Sequence, residues 1–403
     1  MKRSFILPVV LGLAAATGVS ACAGEGGGGD SNEIVIGVSE PLTGVGAAAG
    51  GGIVDAIEMA ADEINAAGGI DGKTIKVEVL DNATDPAQCT TTAQKIVSSP
   101  AVAMIGGWSS SCTLAMIPVT TRAELPLVVE TSSSPAITDP EESGSEWVFR
   151  MSPPSTMDTV AVGQFVEQLD IKKVFMLAEN TDFGLGANEA YQAMFAKAGV
   201  DVTGSETFAQ TAQTFRDQVT KAIAAGADTW AVTTEVEQLA QILREARGQG
   251  GKAQVLASGG SASPSHVIEL AGPETAEGLL ATEYFPEFDP SLAGDPAAAE
   301  AFSKNWVEAG HDVNVISEAA RGYAALYVIA DALKQADDPT SRASVRDALE
   351  KVDVASIIYG RVKFEDWCGL INQNQPTITL TRVHNGAVEL AGKAVPPYDC
   401  PAE

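Results

Sequence analysis

The sequence predicts an α/β fold in which two doubly wound parallel sheets follow one another along the chain. Short apolar runs, typical of buried strands, alternate with segments whose apolar residues recur at helical spacing. The alternation stops at a loop rich in Ser, Pro and Glu, residues 131–146, and then restarts. With 403 residues, 45% of them hydrophobic, the chain is long and apolar enough for two or three domains.

The first series of elements shows how strands and helices are told apart. Residues 34–39 form an apolar run of strand length, whereas residues 52–67 repeat their apolar side chains at helical spacing and end in glycines. The same criteria predict further strands at 74–80, 102–105 and 126–129 and helices at 86–99 and 112–123. Because strands and helices alternate, neighbouring strands are expected to run parallel.

The second series repeats this order, and the chain then becomes mostly helical before it returns to strands. Residues 296–350 have a helical pattern, most clearly over 318–335. The remaining predicted elements are helices at 156–169, 185–198, 215–225 and 236–248 and strands at 174–178, 201–207, 229–233, 253–257, 361–364 and 377–383.

The charge balance excludes several classes of partner. Acidic residues outnumber basic ones 53 to 25, which gives a net charge of −28. Such a chain is not expected to bind nucleic acid, nor to dock on anionic lipid through a basic face. Its three histidines are far apart in the sequence, so no metal site is expected, and no motif calls for a cofactor.

The N-terminus reads as an export signal that ends at a lipidation site. Lys2 and Arg3 precede an apolar core from Phe5 to Val19, so residues 1–21 are interpreted as a signal peptide. The sequence Val-Ser-Ala-Cys that ends at Cys22 resembles the bacterial lipobox, in which the cysteine is acylated. Residues 22–32 then form a flexible tether by composition. We therefore expect an exported protein, lipid-anchored on the extracytoplasmic face of the cell membrane.

Four cysteines remain after the predicted cleavage: Cys89, Cys112, Cys368 and Cys400. An even number in an exported chain suggests two disulfides, for which three pairings are possible. The local pairs, Cys89 with Cys112 and Cys368 with Cys400, are favoured by their positions. Reduced, buried thiols are the alternative.

Chemistry is expected in the loops that follow strands, because ligands of open parallel sheets bind at the carboxyl ends of the strands. These loops are rich in hydroxyls and glycines and hold a few acids, which suits holding a small polar or anionic group. No P-loop and no G-x-S-x-G motif occur, and the glycines at 44, 46 and 50 are spaced too widely for a dinucleotide fingerprint. We therefore do not expect an enzyme, although an exported hydrolase using paired carboxylates stays open.

Several stretches, taken in their order and spacing, resemble the extracellular solute-binding proteins of ABC importers. The nearest type is the leucine/isoleucine/valine-binding family, with its relatives for amides, urea and aromatic acids. The stretches are IVIGVSEPLTG, IGGWSSSCT, PLVVETSSSPAIT, VFRMSPPS, NTDFGLGA and AARGYAALYVIADAL. The resemblance implies two α/β lobes joined by three crossovers near Arg150, Glu283 and Ile358. Lobe 1 would comprise residues 33–150 plus 284–357, and lobe 2 residues 151–283 plus 358–403.

The resemblance also implies ligand contacts. Ser110, Thr131 and Ser133 fall where the family holds an amino acid's carboxylate and ammonium, and Phe183 falls where it places an aromatic lid. Ser109 and Ser132, their neighbours, join this set of expected ligand-binding residues. The simpler alternative is that these hydroxyls cap helices or turn the chain.

Two departures from the family pattern concern the ligand's ammonium group. The family's second cleft tyrosine falls on Glu235, and its ammonium-pairing glutamate falls near Gly259, where there is no acid. Glu235 or Asp182 is expected to supply the missing charge, although Thr234-x-x-Glu237 also fits a helix capping box. Trp108 is placed to stack on a planar or apolar ligand, or else to fill the core.

The expected function is therefore that of a lipid-anchored binding protein. It would capture a small polar solute, such as a branched-chain or related amino acid, between two lobes and deliver it to an ABC permease with its ATPases. The family is typically monomeric. The alternatives are a binder of short amides, urea or aromatic carboxylates, and a sensor-type receptor of the same fold.

Overall fold

The computed structural model describes residues 32–258, 263–285, 287, 289–358 and 360–401. The expected signal peptide, the lipidation site Cys22 and the tether up to residue 31 lie outside these residues. They therefore stay predictions, as does any role for the loop at 259–262.

The predicted alternation of strands and helices is present, with boundaries that differ by a few residues. The strands are β1 (Glu33–Glu40), β2 (Thr74–Asp81), β3 (Ala103–Ile105), β4 (Leu127–Val129), β5 (Val148–Arg150), β6 (Lys173–Glu179), β7 (Asp201–Phe208), β8 (Thr229–Thr233), β9 (Gln254–Ala257), β10 (Leu279–Glu283), β11 (Asp353–Ser356), β12 (Gly360–Lys363), β13 (Glu365–Trp367), β14 (Leu370–Gln373), β15 (Ile378–His384) and β16 (Ala387–Ala394). The helices are α1 (Ala47–Ala66), α2 (Pro86–Val97), α3 (Ser110–Arg122), α4 (Ser155–Gly163), α5 (Asp182–Lys197), α6 (Arg216–Ala224), α7 (Val236–Gly248), α8 (Pro264–Ala271), α9 (Pro273–Ala276), α10 (Pro296–Glu308), α11 (Ile316–Gln335) and α12 (Arg342–Leu349). Short 3-10 turns occur at Pro135–Ile137, Pro290–Leu292 and Val313–Val315.

The strands form two large sheets, as the α/β prediction requires. Within the described chain, the first has the order β13-β14-β5-β4-β3-β1-β2 and the second β16-β15-β10-β9-β8-β6-β7. All neighbours from β14 to β2, and from β10 to β7, pair in parallel. We call the first sheet with α1–α3 and α10–α12 the first lobe, and the second sheet with α4–α9 the second lobe.

The two sheets are not wholly parallel, which corrects the prediction at one edge of each. β13 pairs antiparallel with β14, and β15 pairs antiparallel with both β10 and β16. A two-residue turn at Asn385 and Gly386, both with positive φ, joins β15 to β16. An Asn-Gly pair between two strands selects this hairpin geometry, so antiparallel pairing follows locally from the sequence.

The chain passes from the first sheet to the second at three places. The first two lie just after Arg150 and just after Glu283, as expected. The third was expected near Ile358 but lies between Gln373 and Ile378, because β13 and β14 first extend the first sheet beside β5. Residues 365–373 therefore belong to the first lobe's sheet rather than to the second lobe.

Arg150 ties the first crossover to the third. Its side chain is fully buried, and its guanidinium donates to the side chains of Gln373 and Thr138, at 2.6 Å each, and to the backbone oxygen of Ser134. The loss of hydration on burial lowers the pKa of Arg150 to about 9. The structure thus supports a pinning role, whereas an anion-binding role has no support, because all these acceptors belong to the protein.

The cysteines form the two local disulfides that the sequence favoured. Cys89 and Cys112 join α2 to α3, and Cys368 and Cys400 join the turn after β13 to the C-terminal segment. The Cα atoms of each pair are 5.4 Å apart, an ordinary disulfide distance. Among the described helices, none combines the length and the hydropathy that a membrane span requires.

Candidate functional site

A polar cavity, which we call the inner chamber, lies between the two lobes. Its empty volume is about 450 Å³, the opening to solvent included. The lining residues are Trp108, Ser109, Ser110, Thr131, Ser132, Ser133, Glu179, Thr181, Phe183, Gln210, Glu235, Glu318 and Arg321. Most of them follow the carboxyl ends of β3, β4, β6, β7 and β8, where the sequence analysis placed the site. Of the residues expected to bind ligand, all but Asp182 are in this lining.

On the first-lobe side, the wall is made of hydroxyls and backbone groups. Ser110 begins α3, and its hydroxyl accepts a hydrogen bond from the backbone N–H of Ser134 at 3.3 Å. Ser109 occupies the N-cap position, yet its side chain makes no capping hydrogen bond. The helix-capping alternative therefore does not account for the Ser109 hydroxyl. The start of a helix also offers N–H groups to a ligand carboxylate.

The loop after β4 is braced from within, and its hydroxyls differ in what they do. Ser132 donates to the backbone oxygen of Gly107 and lies 2.8 Å from the hydroxyl of Thr113, so its side chain mainly fixes the loop. Ser133 is linked to the second lobe, because its backbone oxygen accepts from Ser155 at the start of α4. Thr131 directly precedes these two serines and lies half-buried in the chamber wall.

On the second-lobe side, the wall carries carboxylates. Glu179 ends β6 and accepts a hydrogen bond from Thr181 at 2.6 Å. Glu235 stands at the N-cap of α7, but its side chain makes no capping hydrogen bond. The capping box expected from Thr234 and Glu237 is not formed, because Glu235 rather than Thr234 occupies the N-cap position of α7. The Thr234 hydroxyl donates to the side-chain oxygen of Gln238.

Asp182 lies at the rim rather than in the chamber. Its carboxylate accepts a hydrogen bond of 2.6 Å from the hydroxyl of Ser111, across the gap between α5 and α3. Ser111 belongs to the first lobe and Asp182 to the second, so this contact joins the lobes beside the cavity. Asp182 is therefore outside the chamber in which a counter-charge to a ligand ammonium is needed.

The sequence analysis missed two charged residues that α11 brings into the chamber, Glu318 and Arg321. Both are buried, and the Arg321 guanidinium lies 5.5 Å from the ring centre of Tyr284. The sequence signal that could have identified this pair is Arg321 itself, because it stands in a part of α11 that consists mostly of apolar and small residues. A charge on a face that is otherwise buried needs a partner, and here the carboxylates of the cavity are close to it.

Burial shifts the pKa of each acid in the chamber upwards. Loss of hydration raises the pKa of Glu235 well above its ordinary value, and the neighbouring Glu179 and Glu318 raise it further. Burial raises the pKa of Glu318 to about 7, although Arg321 opposes the shift. Burial also raises the pKa of Glu179. A ligand cation placed among these groups would favour their ionised forms.

A second pair of carboxyls lies beneath the first-lobe wall. Glu40 ends β1 and Glu130 follows β4, and both are fully buried. Burial raises the pKa of Glu40 well above its ordinary value, with Glu130 as the next contributor, and raises that of Glu130 to about 7. The neighbouring Glu130 thus adds to the effect of burial on Glu40, because two like charges this close oppose each other.

Trp108 depends on a glycine that faces it. Gly46 has a φ of +84°, and a Cβ there would come within 2.4 Å of the Trp108 ring. A larger residue at position 46 would therefore displace the indole. Trp108 is half-buried, and its ring forms part of the chamber wall. No group of three or more His, Cys, Asp or Glu side chains in the described part of the chain is arranged to hold a metal ion.

Two α/β lobes that enclose a polar cavity, joined by crossovers that a buried arginine ties together, define a two-lobed solute-binding protein. The chain belongs to the periplasmic binding protein family, whose model matches residues 33–387. Members of this family bind solutes, so the chain is a binding protein rather than an enzyme.

Individual relatives agree with this assignment. The chain is 30% identical over 252 residues to an amino acid binding protein of Pseudomonas aeruginosa, which covers 62% of this chain and 67% of that protein. It is 26% identical over 371 residues to a Leu/Ile/Val-binding protein homolog of Brucella suis, covering 91% and 93%. The structure is similar to that of a leucine binding protein from Thermotoga maritima, with a TM-score of 0.79 and 23% identity over 90% of this chain and 99% of that one.

Proposed function

We propose that the protein captures a branched-chain or related amino acid between its lobes and delivers it to an ABC importer. The observation that carries the proposal is the polarity of the inner chamber. The first-lobe loops offer hydroxyls and helix N–H groups, and the second-lobe strand ends offer the carboxylates of Glu179 and Glu235, while α11 adds Glu318 with Arg321. A zwitterionic amino acid has the complementary arrangement, with a carboxylate at one end of its backbone and an ammonium at the other.

In the proposed complex, Ser110, Thr131 and Ser133 bind the ligand carboxylate together with N–H groups at the start of α3. Glu235 binds the ammonium and so replaces the family's glutamate near Gly259. Phe183 and Trp108 border the ligand's side chain. Such charge-assisted hydrogen bonds in a site shielded from water are stronger than neutral ones.

The same proposal covers location and partners. The N-terminal sequence supports acylation at Cys22, which would hold the protein at the extracytoplasmic face of the membrane beside a permease and its ATPases. The names of the relatives support an amino acid as cargo. A monomer suffices, because a single chain supplies both walls of the chamber.

The test is a ligand panel against residues 31–403, which omit the signal and lipidation site. Amino acids, short amides, urea and aromatic carboxylates are compared by thermal shift and then by calorimetry. A ligand at 100 times its dissociation constant should add about 2.7 kcal/mol to the unfolding free energy. Binding by leucine-like amino acids supports the proposal. Binding by amides or aromatic acids alone would refute it and favour the alternative ligand class, with Trp108 as the stacking residue.

Anchoring and delivery need separate tests on the full chain. Metabolic labelling with a clickable fatty acid should mark the wild type and leave Cys22→Ser unlabelled. Uptake of the identified ligand by cells should fall when the genes of the ABC permease that the protein serves are deleted. Persistence of uptake, together with a ligand-dependent kinase response, would support the sensor alternative instead.

A further inference from the structure

We propose that the cleft contains a second subsite, beyond Trp108, that receives the cationic end of a ligand side chain. The ligand class is then an α-amino acid with a basic side chain, such as lysine or arginine. This inference rests on the proposed function, because it assumes that the α-amino and α-carboxylate groups occupy the inner chamber.

A larger cavity, which we call the outer chamber, continues from the inner one. Its empty volume is about 1140 Å³, the opening to solvent included. Four residues line both cavities: Trp108, Gln210, Glu235 and Glu318. The two chambers are therefore parts of one cleft, and a ligand held in the inner chamber has room to extend past the indole. A branched-chain side chain is too short to need this second space.

The walls of the outer chamber combine an apolar strip with acids. The strip runs along residues 44–49, which are small and apolar, and continues at Val236 and Val315. The acids are Glu235, Glu237 and Glu318. An alkyl stem that ends in an ammonium or guanidinium has this same combination, because the methylenes pack on apolar surface while the charge reaches the carboxylates.

The charge balance of the whole cleft exceeds what one ligand ammonium requires. Glu179, Glu235, Glu237 and Glu318 line the two chambers, whereas Arg321 is the single Lys or Arg side chain among their described lining residues. Four carboxylates against one guanidinium leave room for more than one ligand cation. Even if burial keeps one or two of them protonated in the empty cleft, binding of a cation favours their ionised forms.

Two acids are positioned where a ligand cation can reach them, in addition to the nearby Arg321. Glu318 is 8% exposed and lines both chambers, so its carboxylate is held inside the cleft by α11. The Glu235 carboxylate accepts no hydrogen bond from any residue in the part of the chain that the structure describes. A half-buried carboxylate in this state is costly, and a donor from the ligand would remove that cost.

Other features of the outer chamber favour an anion, and the test must weigh them. The helices α1 and α7 begin there, at Gly46 and Glu235, and a helix N-terminus carries a partial positive charge. His266 also lines the chamber, and its ring can donate a hydrogen bond. With Glu235 bound to the ligand's α-ammonium, Glu237 and Glu318 still oppose the two half charges and the histidine, so we expect the cation to be preferred over an anion.

Calorimetry on the exported chain provides the test, because lysine and norleucine share one four-carbon stem and differ only in the terminal ammonium. Lysine should bind at least tenfold more tightly than norleucine, and glutamate should bind more weakly than either. Glu237→Gln should reduce the ratio of lysine to norleucine affinity at least threefold. Glu189→Gln, which removes an exposed acid on α5 outside both chambers, should leave the ratio unchanged.

The outcomes separate this inference from the proposed function. If leucine binds while norleucine equals or exceeds lysine, the second subsite is refuted and the amino-acid function stands. Tighter binding of glutamate would also refute it and would show that the helix N-termini dominate. If no α-amino acid binds, charged or neutral, the proposed function fails and this inference fails with it.

Discussion

The two walls of the inner chamber differ in chemistry although equivalent parts of the fold produce them. Both are built at the carboxyl ends of parallel strands, where helices begin. The first-lobe loops carry neutral hydroxyls, Ser110 and Thr131 among them, whereas the second-lobe strand ends carry the carboxylates Glu179 and Glu235. The helix α11 of the first lobe adds one acid and one base, Glu318 and Arg321. In the proposed complex, the fold therefore determines where the ligand lies, and the loop residues determine which end of it faces which lobe.

The acids of the site should make the empty protein less stable as the pH rises. Burial raises the pKa of Glu318 and of Glu130 to about 7, from about 4.5 for an exposed glutamate. Between these values the folded state holds more protons than the unfolded chain, so the unfolding free energy falls with increasing pH. We expect a loss on the order of a few kcal/mol between pH 5 and pH 8.

Thermal unfolding of the ligand-free protein across this pH range checks the prediction. Glu318→Gln should flatten the pH profile and raise the melting temperature at pH 8. A melting temperature that is constant or rises from pH 5 to pH 8 would contradict the proposed cost of the acidic wall. Hydroxyl variants such as Ser110→Ala should not change the slope of the profile.

Neutralising the acidic wall should weaken binding more than removing a hydroxyl from the other wall. Glu235→Gln keeps the shape of the side chain but removes the charge that would face the ligand ammonium. We expect a loss of about 2 kcal/mol, or roughly 30-fold in affinity, measured by calorimetry with the best ligand of the panel. Glu189→Gln serves as the control, and an equal affinity for wild type and Glu235→Gln would show that another group binds the ammonium.

Removal of one hydroxyl from the neutral wall should have a smaller effect. Ser110→Ala deletes one neutral hydrogen bond, so we expect a loss of about 1 kcal/mol, roughly fivefold in affinity. Ser98→Ala, an exposed serine at the end of α2, is the matched control. If Ser110→Ala cost as much as Glu235→Gln, the contrast between the two walls would be wrong.

The contact across the rim should have the smallest effect. Ser111→Ala removes the hydrogen bond to Asp182, which is exposed and therefore worth only about 0.5 kcal/mol. Because this bond joins the two lobes, its loss should appear mainly as faster ligand release in stopped-flow measurements. The double variant with Asp182→Asn should add little to Ser111→Ala. Independent, additive effects would mean that the two side chains do not act together.

The position of the site could be predicted from sequence because it depends on local patterns. Apolar runs mark the strands, and the residues after them meet at one edge, so Ser110, Thr131 and Glu235 were found without coordinates. Glu318 and Arg321 were not, because they lie on a helix distant in sequence and reach the cavity only through packing. Asp182 lies at the rim, where its carboxylate contacts Ser111 of the other lobe, a contact that no local pattern indicates.

The parallel core of each sheet was predicted better than its edge. The strands β5 and β10 were both missed because each ends in a charged residue, Arg150 or Glu283, and so is not a wholly apolar run. The hairpin at Asn385 and Gly386 did have a sequence signal, the Asn-Gly pair itself, but the expectation of a wholly parallel sheet left it unused. The third crossover was predicted too early in the chain for a related reason. The strands β13 and β14 were not predicted either, and neither was β5, the strand with which β14 pairs.

The C-terminal segment connects the two lobes in a way that the three crossovers alone would not. After β16 in the second lobe, the chain returns to the edge of the first sheet, where Cys400 is bonded to Cys368 and Trp367 donates to the backbone oxygen of Tyr398. The segment between the two cysteines is thereby a closed ring that leaves the first lobe, passes through β15 and β16, and comes back. The lobes consequently share a fourth covalent connection. One arm of the ring runs from β14 to β15 and the other from β16 to Cys400, so a single break of the backbone in either arm leaves the other to limit how far the cleft can open.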